Sequence, residues 1–281
     1  NTNSGKCGEV ILMADVILKP TGNFDLTVEA EVVTPDNFAG KNADEIGKLL
    51  VWQGPAEYPL SDFFSVEGNG GSSAEDTTII IDGDIPRVKR IGQEMTAGKI
   101  LVKGSVGMHT GSTMSGGEII VEGDSESWAG MDMKGGSIHI KGNAKDHIGC
   151  AYRGSWKGMT GGRITVDGDA VSQVGGGLAG GEIIIGGSVK HFSGIRINGG
   201  LLVIKGNAFR TVGAEMTGGT IVVGGCIERF TPGFTMEGVE SDLKFGDIEC
   251  PGEYKKFTGD YAIPQKGKGV MYVSCDNNEC L

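Results

Sequence analysis

The stretch "MSGGEIIVEGD" runs from Met114 to Asp124, and "MTGGRITVDGD" runs from Met159 to Asp169. Near-copies surround them: "MKGGSIHIKGN" from Met133, "LAGGEIIIGGS" from Leu178, "INGGLLVIKGN" from Ile197 and "MTGGTIVVGGC" from Met216. The second Gly of each pair falls at Gly98, Gly117, Gly136, Gly162, Gly181, Gly200 and Gly219, with spacings of 19, 19, 26, 19, 19 and 19. The strand-closing glycines Gly104, Gly123, Gly142, Gly168, Gly187, Gly206 and Gly225 keep the same rhythm. A worn earlier copy, "TTIIIDGD", closes at Gly83. A fixed period of this length marks a stacked repeat architecture.

Each unit holds a short β run such as Glu118 to Val121, too short to stand alone. A 19-residue unit leaves no room for a crossover helix, so neighbouring runs stack in parallel, about 4.8 Å apart. The expected fold is an all-β solenoid: a right-handed parallel β-helix of about eight rungs over 77–231, the hand following from the chirality of parallel crossovers. Alternation then assigns faces. The columns Ile100, Ile119, Ile138, Ile164, Ile183, Leu202, Ile221 and Val102, Val121, Ile140, Val166, Ile185, Ile204, Val223 are wholly aliphatic and point inward. An outer column starts Lys103, Glu122, Lys141, Asp167, alternating in charge as stacked neighbours prefer. Met114, Met133, Met159, Leu178, Ile197 and Met216 read as apolar filling at a corner.

One outward column is mostly apolar: Leu101, Ile120, His139, Thr165, Ile184, Val203 and Val222. Such a stripe calls for a cover, from the N-terminal segment or from a partner. Residues 1–76 lack the repeat and read as a small N-terminal α+β cap. "EVILMADVILKP" (9–20), "NFDLTVEAEVV" (23–33) and "YPLSDFFSVEG" (58–68) look like strands, and "NADEIGKLLVWQG" (42–54) like a helix closed by Gly54. Residues 232–281, with Pro232, Pro251 and Pro264, read as an irregular tail.

Composition narrows the function. Gly makes up 51 of 281 residues, well above the average of about 7%, yet no collagen period occurs. The net charge of -11 with scattered Lys and Arg argues against nucleic-acid binding. No apolar run is long enough for a membrane span and no signal-peptide pattern opens the chain, so a cytoplasmic protein with reduced thiols is expected. Cys7, Cys150, Cys226, Cys250, Cys275 and Cys280 show no framework spacing.

Candidate chemistry is sparse. The residues Asp84, Ser105, Asp124, Asn143, Asp169, Ser188 and Asn207 form a ladder, but most copies are neutral, so they read as turn formers rather than metal ligands. His147 and Cys150 are three apart in the irregular rung; packed or solvated side chains fit that pair better than a metal does. His109, His139 and His191 are dispersed, and Cys275 and Cys280 have no matching second pair. No triad order, phosphate loop or paired carboxylates appear, so no catalytic, cofactor-binding or metal residue is expected. The insertion itself, "CAYRGSWKGM" over 150–159, must leave the stack as a loop, because extra residues within a rung would shift the register. It carries Tyr152, Arg153 and Trp156, residue types that dominate binding hot spots. Three roles stay open for them: docking a partner, plugging their own rungs, or lining a substrate site.

The recurring "GSTMSGG", "GMDMKGG" and "GAEMTGG", each followed by an alternating aliphatic run, resemble the C-terminal β-helix domain of glutamate synthase large subunits. With "PLSDFFSVEG" at 59–68 and "YRGSWKGMTGG" at 152–162, nearly the whole chain looks more like the C subunit of formylmethanofuran dehydrogenase. A related bacterial subunit occurs in the formyltransferase/hydrolase complex. The resemblance implies a cytoplasmic archaeal oxidoreductase complex of methanogenesis that interconverts CO2 plus methanofuran and formylmethanofuran. It places the molybdenum or tungsten pterin and the iron–sulfur clusters on sister subunits: a molybdopterin subunit, an amidohydrolase subunit and ferredoxin-type subunits. It carries no catalytic residue onto this chain, which would be a scaffold. A stand-alone glutamate synthase β-helix domain, a β-helix subunit of a formyltransferase/hydrolase complex and a secreted polysaccharide lyase are the alternatives. A lyase needs acidic and basic side chains clustered on adjacent rungs, which these columns lack.

Overall fold

The structure, a computed structural model, describes residues 14–22, 24–262, 267–279 and 281. The chain is all-β in character, and its described strands form one thirteen-stranded sheet with two smaller ones. The large sheet grows by parallel addition of Thr77–Ile81, Lys99–Val102, Glu118–Val121, Ser137–Ile140, Thr160–Val166, Ala179–Ile185, Gly199–Ile204 and Thr220–Val223. Ile79, Ile100, Ile119, Ile138, Ile164, Ile183, Leu202 and Ile221 lie in one register, and Ile81 through Val223 in another. Both columns are buried to 1% exposure or less. Sealing them from water is the main stabilising term. Ser137 faces Arg163 across the insertion, so the register survives it.

A second face is marked by parallel bridges joining Ile85, Val106, Ser125 and Ala144, and further along by Val189, Ala208 and Ile227. At a third corner Met95, Met114, Met133, Met159, Leu178, Ile197 and Met216 are fully buried, as the sequence suggests. Tight turns join the faces. A Cβ on Gly135 would lie 2.3 Å from the Ser115 carbonyl oxygen, and Gly136 has φ +81°. The pair therefore combines a close approach with a left-handed bend, the two tasks glycine performs without penalty.

The strand-closing polar residues are bonded from repeat to repeat. Backbone N–H groups of Ser105, Asn143 and Ser188 donate to carboxylate oxygens of Asp84, Asp124 and Asp169 at 2.7 Å each. Asp169 and Cys226 donate to Asn143 at 2.9 Å and Asn207 at 2.8 Å. Each side chain satisfies a turn N–H one repeat away, the turn-forming role read from the sequence. Opposite charges also meet along the columns, as in Lys99–Glu118 at 2.8 Å and Lys141–Glu122 at 3.3 Å. Asp167 pairs with His139, at 2.9 Å.

The flanking segments depart from the sequence reading in places: the strand expected over 58–68 is split by a 3-10 turn at Leu60–Asp62, leaving Ala56–Pro59 and Phe64–Gly68. The helix expected over 42–54 is confined to Ala43–Gly47, opened by an Asn42/Glu45 capping box. Leu50–Gln53 is instead a strand paired antiparallel with Ala56–Pro59, and Gly54, at φ +61°, turns that hairpin. The β-branched and aromatic residues Val51 and Trp52 prefer the pleated pairing. Within 23–33 the described strand is only Val28–Glu29, and residue 23 lies outside the described residues. Of 9–20, Ala14–Pro20 pairs in parallel with Thr77–Ile81 and antiparallel with Phe64–Gly68, while 9–13 lie outside the described residues.

The tail is not irregular. Thr235–Phe245 and Ile248–Gly259 form a long antiparallel hairpin, and Gly269–Ser274 extends the parallel sheet beside Thr220–Val223. The hairpin and the Gly269–Ser274 strand cover one end of the outer apolar stripe. Leu243, Ile248, Cys250, Tyr254 and Tyr272 pack with Leu201, Val203 and Val222. The tip is latched by Arg163, whose Nη1 donates to Asp247 at 2.7 Å while its Nε donates to Glu182 at 2.7 Å. The cover thus comes from the C-terminal segment, over Val203 and Val222, and Leu101 and Ile120 stay half-buried. No described helix is long and apolar enough to cross a membrane.

Candidate functional site

The insertion leaves the stack between Ala151 and Gly158. Their N–H groups donate to the adjacent carbonyls of Gly176 and Gly177, at 2.9 and 2.8 Å, pinching the base of the loop. Inside it Ser155 N–H donates to the Tyr152 carbonyl at 2.9 Å. Tyr152 N–H donates to the Asp132 carboxylate at 3.2 Å, and burial pushes that carboxyl above the usual range. The loop is held at its base and stands free at its tip: Tyr152 is 59% and Trp156 67% exposed.

Trp156 does not sink into the stack. One face of its indole lies 4.2 Å from the Arg196 guanidinium, which is itself paired with Glu215 at 2.8 Å. Arg153 reaches the other way, 5.8 Å from the ring of Trp128. Between loop and stack lies a recess of about 300 Å³, lined by Trp128, His147, Tyr152, Arg153, Trp156 and Arg196 among others. The structure therefore brings together all three residues singled out in the insertion.

It also adds residues that the sequence reading set aside. His109, Trp128 and His147 stack on successive repeats, with ring centroids 5.9 and 4.0 Å apart and planes within 16° and 6°. All three have φ between 64° and 73°, a left-handed conformation that turns the rings into one file at the corner. Nδ1 of each histidine is buried without a hydrogen-bond partner among the described residues. Burial, above all, lowers both imidazole pKa values, so neutral rings face the indole. The signal was in the repeat: each ring sits two residues before a corner glycine, as in "HTG", "WAG" and "HIG".

Cys150 closes the floor. Its thiol donates to the Gln173 carbonyl and accepts from Gly176 N–H at 3.2 Å. Burial pushes its pKa up to about 12, the opposite of what a nucleophilic or ligating thiolate requires. The packed reading of His147 and Cys150 thus fits the geometry. Among the described residues no three His, Cys, Asp or Glu side chains converge as a metal site would need. Cys280 lies outside the described residues. The recess presents exposed aromatic faces and two guanidiniums above a packed floor.

These features define a repeat-built all-β protein whose most differentiated surface is an aromatic and cationic recess beside a protruding loop. Comparison with known proteins narrows that class. The chain is 66% identical over 266 residues to the C subunit of the molybdenum-containing formylmethanofuran dehydrogenase 1 of Methanosarcina barkeri, an alignment spanning 95% of this chain and 88% of the relative. It is 62% identical to the C subunit of the tungsten-containing formylmethanofuran dehydrogenase 2 of Methanothermobacter thermautotrophicus, over 95% and 98% of the two chains. Among solved structures, a chain of the formyltransferase/hydrolase complex from Methylorubrum extorquens in complex with methylofuran superposes with TM-score 0.80 at 25% identity, over 92% of this chain and 99% of that one. No protein-family model matches the sequence. The chain belongs to the family of formylmethanofuran dehydrogenase C subunits.

Proposed function

We propose that this chain is the non-catalytic structural subunit of a cytoplasmic formylmethanofuran dehydrogenase complex. It is built as a right-handed parallel β-helix over about 77–231, behind a cap formed by 1–76. The complex interconverts CO2 plus methanofuran and formylmethanofuran. The molybdenum or tungsten pterin and the iron–sulfur clusters sit on sister subunits, among them molybdopterin, amidohydrolase and ferredoxin-type chains. The observation that carries this reading is high identity to the two dehydrogenase relatives along almost the whole chain. The 19-residue offsets of the parallel register support the helical coil. The alternative, a subunit of a formyltransferase/hydrolase complex, is favoured by the superposition but carries much lower identity.

In this reading the 150–158 loop is a docking element, and Tyr152, Arg153 and Trp156 are its anchors. Their exposure supports it, because side chains this large do not stand in water to stabilise their own rungs. The test is native purification of a tagged chain and of its Trp156→Ala/Arg153→Ala variant. The parent co-purifies with its sister subunits. The variant folds normally but assembles poorly, losing about 2 kcal/mol of association per anchor. Normal assembly of the variant removes the docking role. Stoichiometric pterin or iron–sulfur cluster on the purified chain alone removes the non-catalytic one.

A further inference from the structure

Charged side chains on consecutive repeats of this protein meet as pairs of opposite sign. Lys99 meets Glu118, Lys141 meets Glu122, Lys145 meets Glu126, Arg163 meets Glu182 and Arg196 meets Glu215, at 2.6 to 3.3 Å. The exception lies on the small parallel sheet of Val189–His191, Ala208–Arg210 and Ile227–Arg229. There His191, Arg210 and Arg229 share one register column, so two guanidinium side chains issue from directly opposed positions about 4.8 Å apart. Among the described residues neither has a carboxylate within ion-pair distance; exposed Lys190 lies in the adjoining column, with Phe209 and the exposed Glu228. Like charges placed opposite one another disfavour the pairing. In a chain of net charge -11, such a column is not a by-product of a basic composition.

The two guanidiniums are also prearranged. Both lie over the ring of Phe209, at 6.0 Å for Arg210 and 5.8 Å for Arg229. His191 packs edge-on against the same ring, 5.0 Å between centroids, and its Nδ1 accepts from Arg210 Nε at 3.3 Å. Bonding through Nε leaves the terminal Nη groups of Arg210 without a partner among the described residues, and these can take a carboxylate. This column adjoins the recess. Gln173, in the recess wall, donates its N–H to the His191 carbonyl at 2.8 Å, and Phe192 donates to that of Arg210 at 3.2 Å.

We infer that the Arg210 and Arg229 column is a second docking surface, and that it receives a run of carboxylate side chains on a partner polypeptide. Asp or Glu two residues apart on an extended segment present carboxylates roughly 7 Å apart, within reach of both guanidiniums. A polypeptide is favoured over a free small anion because the column continues the surface of the protruding loop. The inference deepens the proposed role as a structural subunit and rests on it for the partner's nature.

The experiment is assembly of the tagged full-length chain with its complex across a salt series, for the parent, Arg210→Gln/Arg229→Gln and Arg210→Glu/Arg229→Glu. The melting temperature of each chain is measured alongside. Neutralisation is expected to weaken association about tenfold at low salt and charge reversal more, the differences shrinking to about twofold near 0.5 M salt as screening sets in. The melting temperature of the Gln variant stays level or rises, because like-charge repulsion is relieved, and that of the Glu variant stays level, because one like-charged pair replaces another. Parental assembly in both variants overturns the inference. So does a loss of assembly that tracks a fall in melting temperature, or loss of inorganic phosphate binding with assembly intact. Trp156→Ala serves as the reference arm: if it impairs assembly and the arginine variants do not, the column falls and the docking loop stands; if no variant impairs assembly, both fall.

Discussion

Replacing Gly135 by Ala tests the stacking geometry directly. A Cβ there would lie 2.3 Å from the Ser115 carbonyl oxygen, roughly 1 Å inside ordinary van der Waals contact. The obstacle is backbone, so no rotamer change relieves it and neighbouring repeats must separate. The site is bracketed by ladder bonds from Lys134 N–H to the Met114 carbonyl at 2.8 Å and from Ser137 N–H to the Gly117 carbonyl at 3.0 Å. Both lengthen when the repeats part, each losing about 1 kcal/mol, on top of an overpacking cost of about 1–3 kcal/mol. The expected total is about 4 kcal/mol, a fall in melting temperature of about 8–16 °C for a chain of this size. Gly154→Ala is the control: its φ is +91° but nothing lies within 4 Å, so it costs only about 1–2 kcal/mol of left-handed strain. Thermal unfolding followed by circular dichroism, with urea titration, reads both. Equal melting temperatures for the two variants would refute the close-approach argument.

Ile138→Asp or Val166→Asp places a carboxylate in an inward column and is expected to cost several kcal/mol or abolish soluble expression; parental solubility and stability in both would show that the faces are misassigned. Arg163→Ala should free the hairpin tip, read as faster amide hydrogen exchange over 243–250, with the repeat strands unaffected. The Arg163 guanidinium holds the Asp247 carboxyl at about 2, below its ordinary 3.8. Because the folded value is the lower one, this latch contributes fully above about pH 4 and is lost as the pH falls towards 2, so hairpin protection should drop across that window and Asp247→Asn should abolish the dependence. Native alkylation at pH 8 mapped by mass spectrometry should leave Cys150 unmodified until denaturant is added, since its thiol stays protonated to about 12; rapid native labelling would contradict the buried, hydrogen-bonded thiol.

The repeat was legible because it is local and redundant. A period of 19 residues written seven times fixes strand, turn and inward face at once, and the register of Ile100, Ile119 and Ile138 follows from alternation alone. The insertion was legible for the same reason: a break in a strict period can only leave the stack. What sequence could not determine depends on contacts between segments with no shared period. Thr235–Phe245 is mostly polar and exposed, so nothing in it announces a strand, and only its pairing with Ile248–Gly259 makes it one. That hairpin, rather than the N-terminal segment, covers Val203 and Val222 because Gly269–Ser274 joins the sheet beside them and carries the hairpin across. The file of His109, Trp128 and His147 needed three residues to adopt left-handed backbone; the corner glycine two residues on marks the positions, but that the three rings stack there is decided only by the packing of successive repeats. Trp156 and Arg153 were visible as residue types; that Arg196, forty residues on, faces the indole was decided by the stacking of repeats, which brings distant positions together at a spacing no linear pattern records.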